Sequence, residues 1–242
     1  MSPKNNKFKR GVRRTHLDTR YQHLLSRLRM IESELTELEG KHYRTCIFGS
    51  ARTKPEMQLY KDVEELARLL AADGIDILTG GGPGLMEAGN RGAQRGREEA
   101  QSKSRSIGIS IELDFEPFPN PHLDVKRHHH RFSSRLDDFM RLSHSVICTP
   151  GGIGTVLELM FTWQLVQVKH IDYRPIVLMD SSYWNGLIDW MKSQTLQRKL
   201  VSPQDFDCIT IVDTPEQAHE VIAQHQKDFC IDNVCANTNS KK

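Results

Sequence analysis

Short apolar runs alternate along the chain with stretches where apolar residues recur every three to four positions. The runs Thr45–Phe48, Ile75–Leu78, Ser106–Ile111, Ser145–Thr149, Pro175–Met179 and Ile209–Val212 carry little internal polar alternation. They read as strands of a sheet buried on both faces. Between them, helical spacing appears over Met57–Asp73, Leu85–Glu99, His130–Leu142, Gly152–Gln167, Trp184–Lys199 and Pro215–Phe229; Val63, Leu66, Leu69 and Leu70 mark one face of the first. Strands and helices in strict alternation predict an α/β fold, a Rossmann-like doubly wound parallel sheet with helices on both faces. An extra N-terminal helix precedes it. Leu24, Leu25, Leu28, Ile31, Leu35 and Leu38 recur at helical spacing over Leu17–Glu39, and Gly40 ends the pattern. That apolar stripe needs cover from the domain or from a second subunit. The organisation expected is a disordered basic tail over 1–16, a helical arm over 17–40, a nucleotide-binding domain over 41–230 and a polar tail over 231–242.

In a sheet of this kind ligands bind beyond the carboxyl ends of the strands. Three segments fall on that rim: Gly49-Ser50-Ala51-Arg52, Thr79 to Gly84, and Pro150 to Thr155. The last two are glycine turns between a strand and a helix. Glycine lets backbone N–H groups approach an anion without a Cβ in the way. The helix start adds unsatisfied donors and a partial positive charge. Phosphate contacts are therefore assigned to Gly151, Gly152, Ile153, Gly154 and Thr155 of one turn, and to Gly80, Gly81, Gly82 and Gly84 of the other. No GKS or GKT follows either turn, and neither has GxGxxG spacing. Two such turns on one rim suit a mononucleotide better than a dinucleotide. The base and ribose are placed where Gly49, Ser50, Ala51, Met86 and Glu112 converge; the thioether of Met86 can pack on a purine face. Glu112 opens a loop to about Lys126, rich in proline, asparagine and acidic residues, that reads as functional.

Composition narrows the partners. No apolar run approaches the ~20 residues that span a bilayer, so no membrane partner is expected. The net charge of +2 argues against specific nucleic-acid binding by the whole chain. Residues 1–14 hold six Lys and Arg without a following apolar run, unlike a secretory signal. Five cysteines, none in a CxxC pair, give neither a disulfide framework nor a zinc ribbon. Cys46, Cys148 and Cys208 read as buried small hydrophobes, in keeping with a reducing, cytoplasmic setting. The triple His128-His129-His130 is not read as a metal site, because consecutive side chains do not converge on one ion. No metal and no cofactor are expected.

Pro150–Glu158 spells PGGxGTxxE, and Gly80–Ala93 spells GGGPGLMEAGNRGA. With these two motifs the chain resembles the LOG family, formerly labelled lysine decarboxylases, over roughly residues 43–213. The run Ser106–Leu113 with Pro119-Asn120-Pro121, and the N-terminal helix, resemble its longer subgroup. The resemblance implies cleavage of a nucleoside 5′-monophosphate, such as AMP or a cytokinin ribotide, to free base and ribose 5-phosphate. It implies a homodimer or higher homo-oligomer, for which the apolar Leu159, Met160, Phe161 and Trp163 and the stripe of the arm, read from the residues themselves, are the candidate interface. It also implies a catalytic pair, Arg135 and Glu158. Arg135 lies 15 residues before Pro150, as the family's arginine does. N-glycosidic cleavage passes through an oxocarbenium-like sugar. A carboxylate near the anomeric carbon stabilises that charge, holds a ribose hydroxyl or activates water. The arginine would orient it and bind substrate. The family commonly has Arg-Lys where this chain has Arg135-Leu136; Lys126 or Arg131 lies near enough in sequence to substitute.

The alternative to an enzyme is a nucleotide or molybdenum-cofactor carrier using the same turns. Decarboxylation would need a lysine for a Schiff base, and neither glycine turn holds one. Structural roles compete with several assignments: an Arg135–Asp138 salt bridge, a surface or capping Glu158, core packing of Met86, and bracing of the second turn by Glu87 and Asn90. Trp163 and Gln164 read as core or interface residues.

Overall fold

The computed structural model describes residues 21–22, 24–28, 42–111 and 119–239. The chain divides into two units, residues 1–41 and 42–242. In the first, residues 21–22 and 24–28 are helical, with Leu24 and Leu28 exposed. The basic tail, the rest of the arm and Glu112 lie outside the described residues.

The second unit carries one seven-stranded sheet, every strand parallel to its neighbours. Its strands are β1 (Arg44–Phe48), β2 (Asp76–Thr79), β3 (Ser106–Ile111), β4 (Val125–His129), β5 (Ser145–Cys148), β6 (Ile176–Met179) and β7 (Ile209–Val212), in the order β4-β3-β2-β1-β5-β6-β7. The helices are α1 (Gln58–Ala72), α2 (Leu85–Ala100), α3 (Phe132–Leu142), α4 (Ile153–Gln167), α5 (Ser181–Trp190) and α6 (Pro215–Asn239).

Alternate residues of each central strand feed opposite faces. Ile47 joins the core made with Val63, Leu66 and Leu70 of α1, Leu85 and Ala88 of α2 and Ala218 and Ile222 of α6. Cys46 and Phe48 join the other core, with Phe139 of α3, Leu159 and Trp163 of α4 and Trp184 of α5. Cys46, Cys148 and Cys208 are buried as expected. Burial raises the thiol pKa of all three, and the Glu158 carboxylate adds to the effect at Cys46 and Cys148. Among the described residues no helix is long and apolar enough to cross a membrane.

The sequence pattern did not show β4. It lies inside the span read as a long loop followed by the start of a helix. Its residues, VKRHH, are polar because it is an edge strand, and their exposure alternates. The helix after it begins at Phe132 rather than His130. The helix expected from Trp184 starts earlier, at Ser181, and gives way to a π-helical turn over Met191–Leu196. The last helix runs on to Asn239, through most of the segment read as a polar tail.

The amino ends of the strands are closed by buried polar contacts. Asp76 is fully buried and bound by Arg44 and Arg105. His144 accepts the Arg44 backbone N–H at 3.1 Å through Nδ1 and stacks on Tyr43. Burial, then the charges of Arg44 and Arg174, pull its pKa from 6.5 to about 3. The unfolded chain therefore takes up a proton near pH 6.5 that the folded protein refuses until about pH 3. This contribution to stability is complete above pH 6.5 and is lost as the pH falls through that window. The urea midpoint should drop between pH 7 and pH 5, and His144→Phe, though less stable at pH 7, should show a flatter acid limb.

Candidate active site

The strand order reverses at β1, which pairs β2 on one side and β5 on the other. The loops leaving β1 and β5 therefore diverge toward opposite faces and leave a crevice. They are tied at its floor, where Ser50 N–H donates to Pro150 O at 3.3 Å. The cleft above has a volume of about 810 Å³. Its lining brings together Gly49, Ser50, Ala51, Met86, Arg135, Gly151, Gly152, Ile153, Gly154, Thr155 and Glu158.

Arg135 and Glu158 come from different helices, α3 and α4, and meet at the cleft wall. Arg135 Nη1 lies 3.6 Å from Glu158 Oε1, with the two side chains 14% and 12% exposed. Three further contacts hold the arginine. Its Nε donates to Ile109 O at 2.9 Å, its Cζ lies 5.1 Å from the Phe139 ring centre, and Nη2 occupies the space a Cβ on Gly80 would need. Asp138 is not its partner. That carboxylate binds Arg127, His129 and Arg141, and their hydrogen bonds and charges outweigh burial to hold its pKa low. The pair is thus a fixed, partly desolvated charge couple facing a cavity.

The Pro150–Thr155 turn opens into the cleft. Gly152 caps α4 with no side-chain hydrogen bond, so the first N–H groups of the helix are available to an anion. Thr155 is 4% exposed, its hydroxyl packed close against the backbone of Gly151.

The Gly80–Gly84 turn has a different place. Gly80, Gly81, Gly82 and Gly84 are buried and are not among the cleft-lining residues. Several of their polar groups are used within the protein. Gly81 N–H donates to Thr79 Oγ1, Asn120 N–H to Gly81 O and Asn120 Nδ2 to Gly82 O. The leading N–H of α2, on Leu85, is taken by Ser50 O at 3.0 Å. Gly84 sits at φ +69°, and a Cβ there would stand 2.4 Å from the same oxygen. Only glycine lets α2 start so close under the β1 loop. Asn90 is the hub: it accepts from Thr79 Oγ1 at 2.6 Å and Asn120 Nδ2 at 3.0 Å, and donates to Ser106 Oγ at 2.9 Å.

Sequence reasoning passed over Thr53, Met57 and Leu59, which line the cleft beside Arg52. Their place just after β1, on the binding rim, was the available signal. Lys126 and Arg131, near enough in sequence to stand in for a lysine at 136, are not lining residues; among the described residues the cations that line the cleft are Arg52 and Arg135. His129 binds Asp138 and Ser134, and no metal-competent cluster occurs among the described residues.

A family model described as "possible lysine decarboxylase" matches residues 86–222. The chain belongs to this family, the LOG family. A pyrimidine/purine nucleotide 5′-monophosphate nucleosidase of Escherichia coli (strain K12) is 39% identical over 90 residues, which is 36% of this chain and 20% of that one. The chain thus matches only about a fifth of that relative's length. A probable cytokinin riboside 5′-monophosphate phosphoribohydrolase of Oryza sativa subsp. japonica is 24% identical over 84% of this chain and 80% of its own. In fold, the molybdenum cofactor carrier protein of Chlamydomonas reinhardtii is similar, with TM-score 0.54 and 17% identity over 77% of this chain and 99% of that one.

If Asn90 braces the turn, Asn90→Ala leaves Thr79, Ser106 and Asn120 short of partners in a buried site. It should cost about 2–3 kcal/mol of stability, read as a lowered urea midpoint with unchanged slope.

Proposed function

We propose that the cleft hydrolyses the N-glycosidic bond of a nucleoside 5′-monophosphate, releasing base and ribose 5-phosphate. The observation that carries this reading is the Arg135–Glu158 couple, 3.6 Å apart, on the wall of the cleft into which the α4 N-terminus opens. The 5′-phosphate binds the N–H groups of Gly152 to Thr155, where the helix start favours an anion. Glu158 lies about one and a half turns into α4, on the cleft side, within reach of a ribose held by that phosphate. Its carboxylate stabilises the positive sugar as the bond to the base breaks, or takes a proton from the attacking water. Arg135 keeps Glu158 aimed. Met86, Met57 and Leu59 give the base an apolar seat, and Arg52 supplies the second positive charge in place of the lysine missing at 136.

Activity in the family and the sequence relatives supports this reading; the fold likeness to a carrier protein does not discriminate. Amino-acid decarboxylation is disfavoured because no lysine lines the cleft among the described residues. The decisive assay incubates the protein with AMP, GMP, CMP and isopentenyladenosine monophosphate and measures free base and ribose 5-phosphate. Release from at least one is expected, with Glu158→Gln slower by about 10²–10⁴-fold and nucleotide binding retained. Binding of these nucleotides without release from any would instead indicate a carrier.

We further propose that the protein works as a homodimer or higher homo-oligomer through α4. That helix is apolar around its circumference. Ile153 is 91% and Leu157 47% exposed, and Met160 and Phe161 are only partly buried. An exposed apolar stripe beside a cleft is better covered by a second copy than by water. Sedimentation should give at least twice the chain mass of 27.8 kDa; the mass of a single chain would refute the assembly.

A further inference from the structure

The loop after β6 reaches back to the glycine turn. Tyr183, in the first turn of α5, donates its hydroxyl to Gly151 O at 2.6 Å, and its ring packs edge-on against Trp184 at 4.8 Å. Trp184 Nε1 in turn donates to Cys148 O at 3.1 Å. Adjacent residues of α5 therefore hold two carbonyls of one short segment, the end of β5 and the middle of the turn.

The base of α5 is itself fixed. Asp180 adopts φ +85°, which a non-glycine residue reaches only under constraint. Its N–H donates to Val212 O at 2.8 Å, and its carboxylate accepts from Tyr183 N–H and Ser182 Oγ. The Ser181 N–H is held by Asp213 at 2.8 Å. Tyr183 is thus delivered to the turn by a braced start of α5, although its own side chain is substantially exposed and does not line the cleft.

From this we infer that Tyr183 is a positioning residue for the phosphate-binding turn, acting through the Gly151–Gly152 peptide. A trans peptide is planar, so its C=O and N–H point in opposite directions. Fixing the Gly151 carbonyl toward Tyr183 fixes the Gly152 N–H away from it. Gly152 has no side chain to restrict this peptide, and nothing else stands within 4 Å of where a Cβ would be. Without the tyrosine hydroxyl the peptide is free to rotate between two glycines, and the N–H at the mouth of α4 loses its aim. The inference rests on the nucleotide reading given above.

Tyr183→Phe removes only the hydroxyl. The test compares wild type and Tyr183→Phe for ribose 5-phosphate binding by calorimetry, and for steady-state cleavage of the nucleotide that wild type accepts. The variant should bind ribose 5-phosphate about three- to tenfold more weakly, the factor set by one neutral hydrogen bond. Its KM should rise by a similar factor, with kcat within about twofold of wild type. A merely structural role would lower kcat with the active fraction and leave KM unchanged; that result, or equal ribose 5-phosphate affinity in the two proteins, overturns the role of Tyr183 while the nucleotide reading stands. If wild type neither binds ribose 5-phosphate nor releases base from any nucleotide, the nucleotide reading fails and this inference fails with it.

Discussion

The pairing of β1 with β5 is the constraint on which the cleft depends. Residues 46–48 of β1 align with 146–148 of β5, although about a hundred residues separate them in sequence. This register sets Gly49 beside Thr149 and brings the two following loops out of the sheet at one level. Because β1 also pairs β2, the chain has wound away from it in both directions, and among the described residues no helix that follows β1 or β5 fills the gap above their seam. Slipping the register by one residue would separate Ser50 from Pro150 and also turn Cys46 and Phe48 toward the wrong core. The apolar alternation inside β1 and the geometry of the cleft floor are therefore one property of the chain.

The charge couple follows from the same frame. Arg135 on α3 crosses behind β3, where the Ile109 carbonyl holds its Nε, and reaches past Gly80 at the end of β2. Glu158 descends from the α4 start over β5. A charge pair so little exposed loses hydration on both sides, and such a loss is offset only by fixed partners. Here the carbonyl, the Phe139 face and the opposing charge supply them. The neighbouring Asp138 cannot compete for Arg135, because Arg127, Arg141 and His129 already surround it. The dense ion pairing one turn along α3 thus keeps the arginine directed at Glu158.

The sheet was legible because its central strands are buried on both faces, which leaves short unbroken apolar runs such as Val146-Ile147-Cys148. Its edge was not legible. Val125–His129 pairs with β3 along its whole length, yet it ends the strand order and exposes Lys126 and His128, so its residues look like loop. The convergence of Arg135 and Glu158 was readable only through family resemblance, since spacing alone does not say which helix faces which. Tyr183 left no mark in the sequence pattern at all. Its contact depends on Asp180 turning the chain through a left-handed conformation, and no local motif announces that turn.

The two glycine turns show best what a sequence conceals. Both follow a strand, both precede a helix, and both read as places for a phosphate. The difference lies in where their donors go. In the Gly80–Gly84 turn the helix start is taken by Ser50 O, and the backbone groups are tied by Asn120 and Thr79 into a buried network around Asn90. A donor already paired inside the protein gains little from an anion outside it. Neither helix start has a side-chain cap, but at Gly151–Thr155 the flanking carbonyls are held by Trp184 and Tyr183. One turn commits Gly81 N–H and Leu85 N–H to contacts within the protein, and the other opens into the cleft. The first turn supports the second, because the loop carrying Ser50 is held between them, by Leu85 N–H of α2 on one side and by Pro150 O on the other.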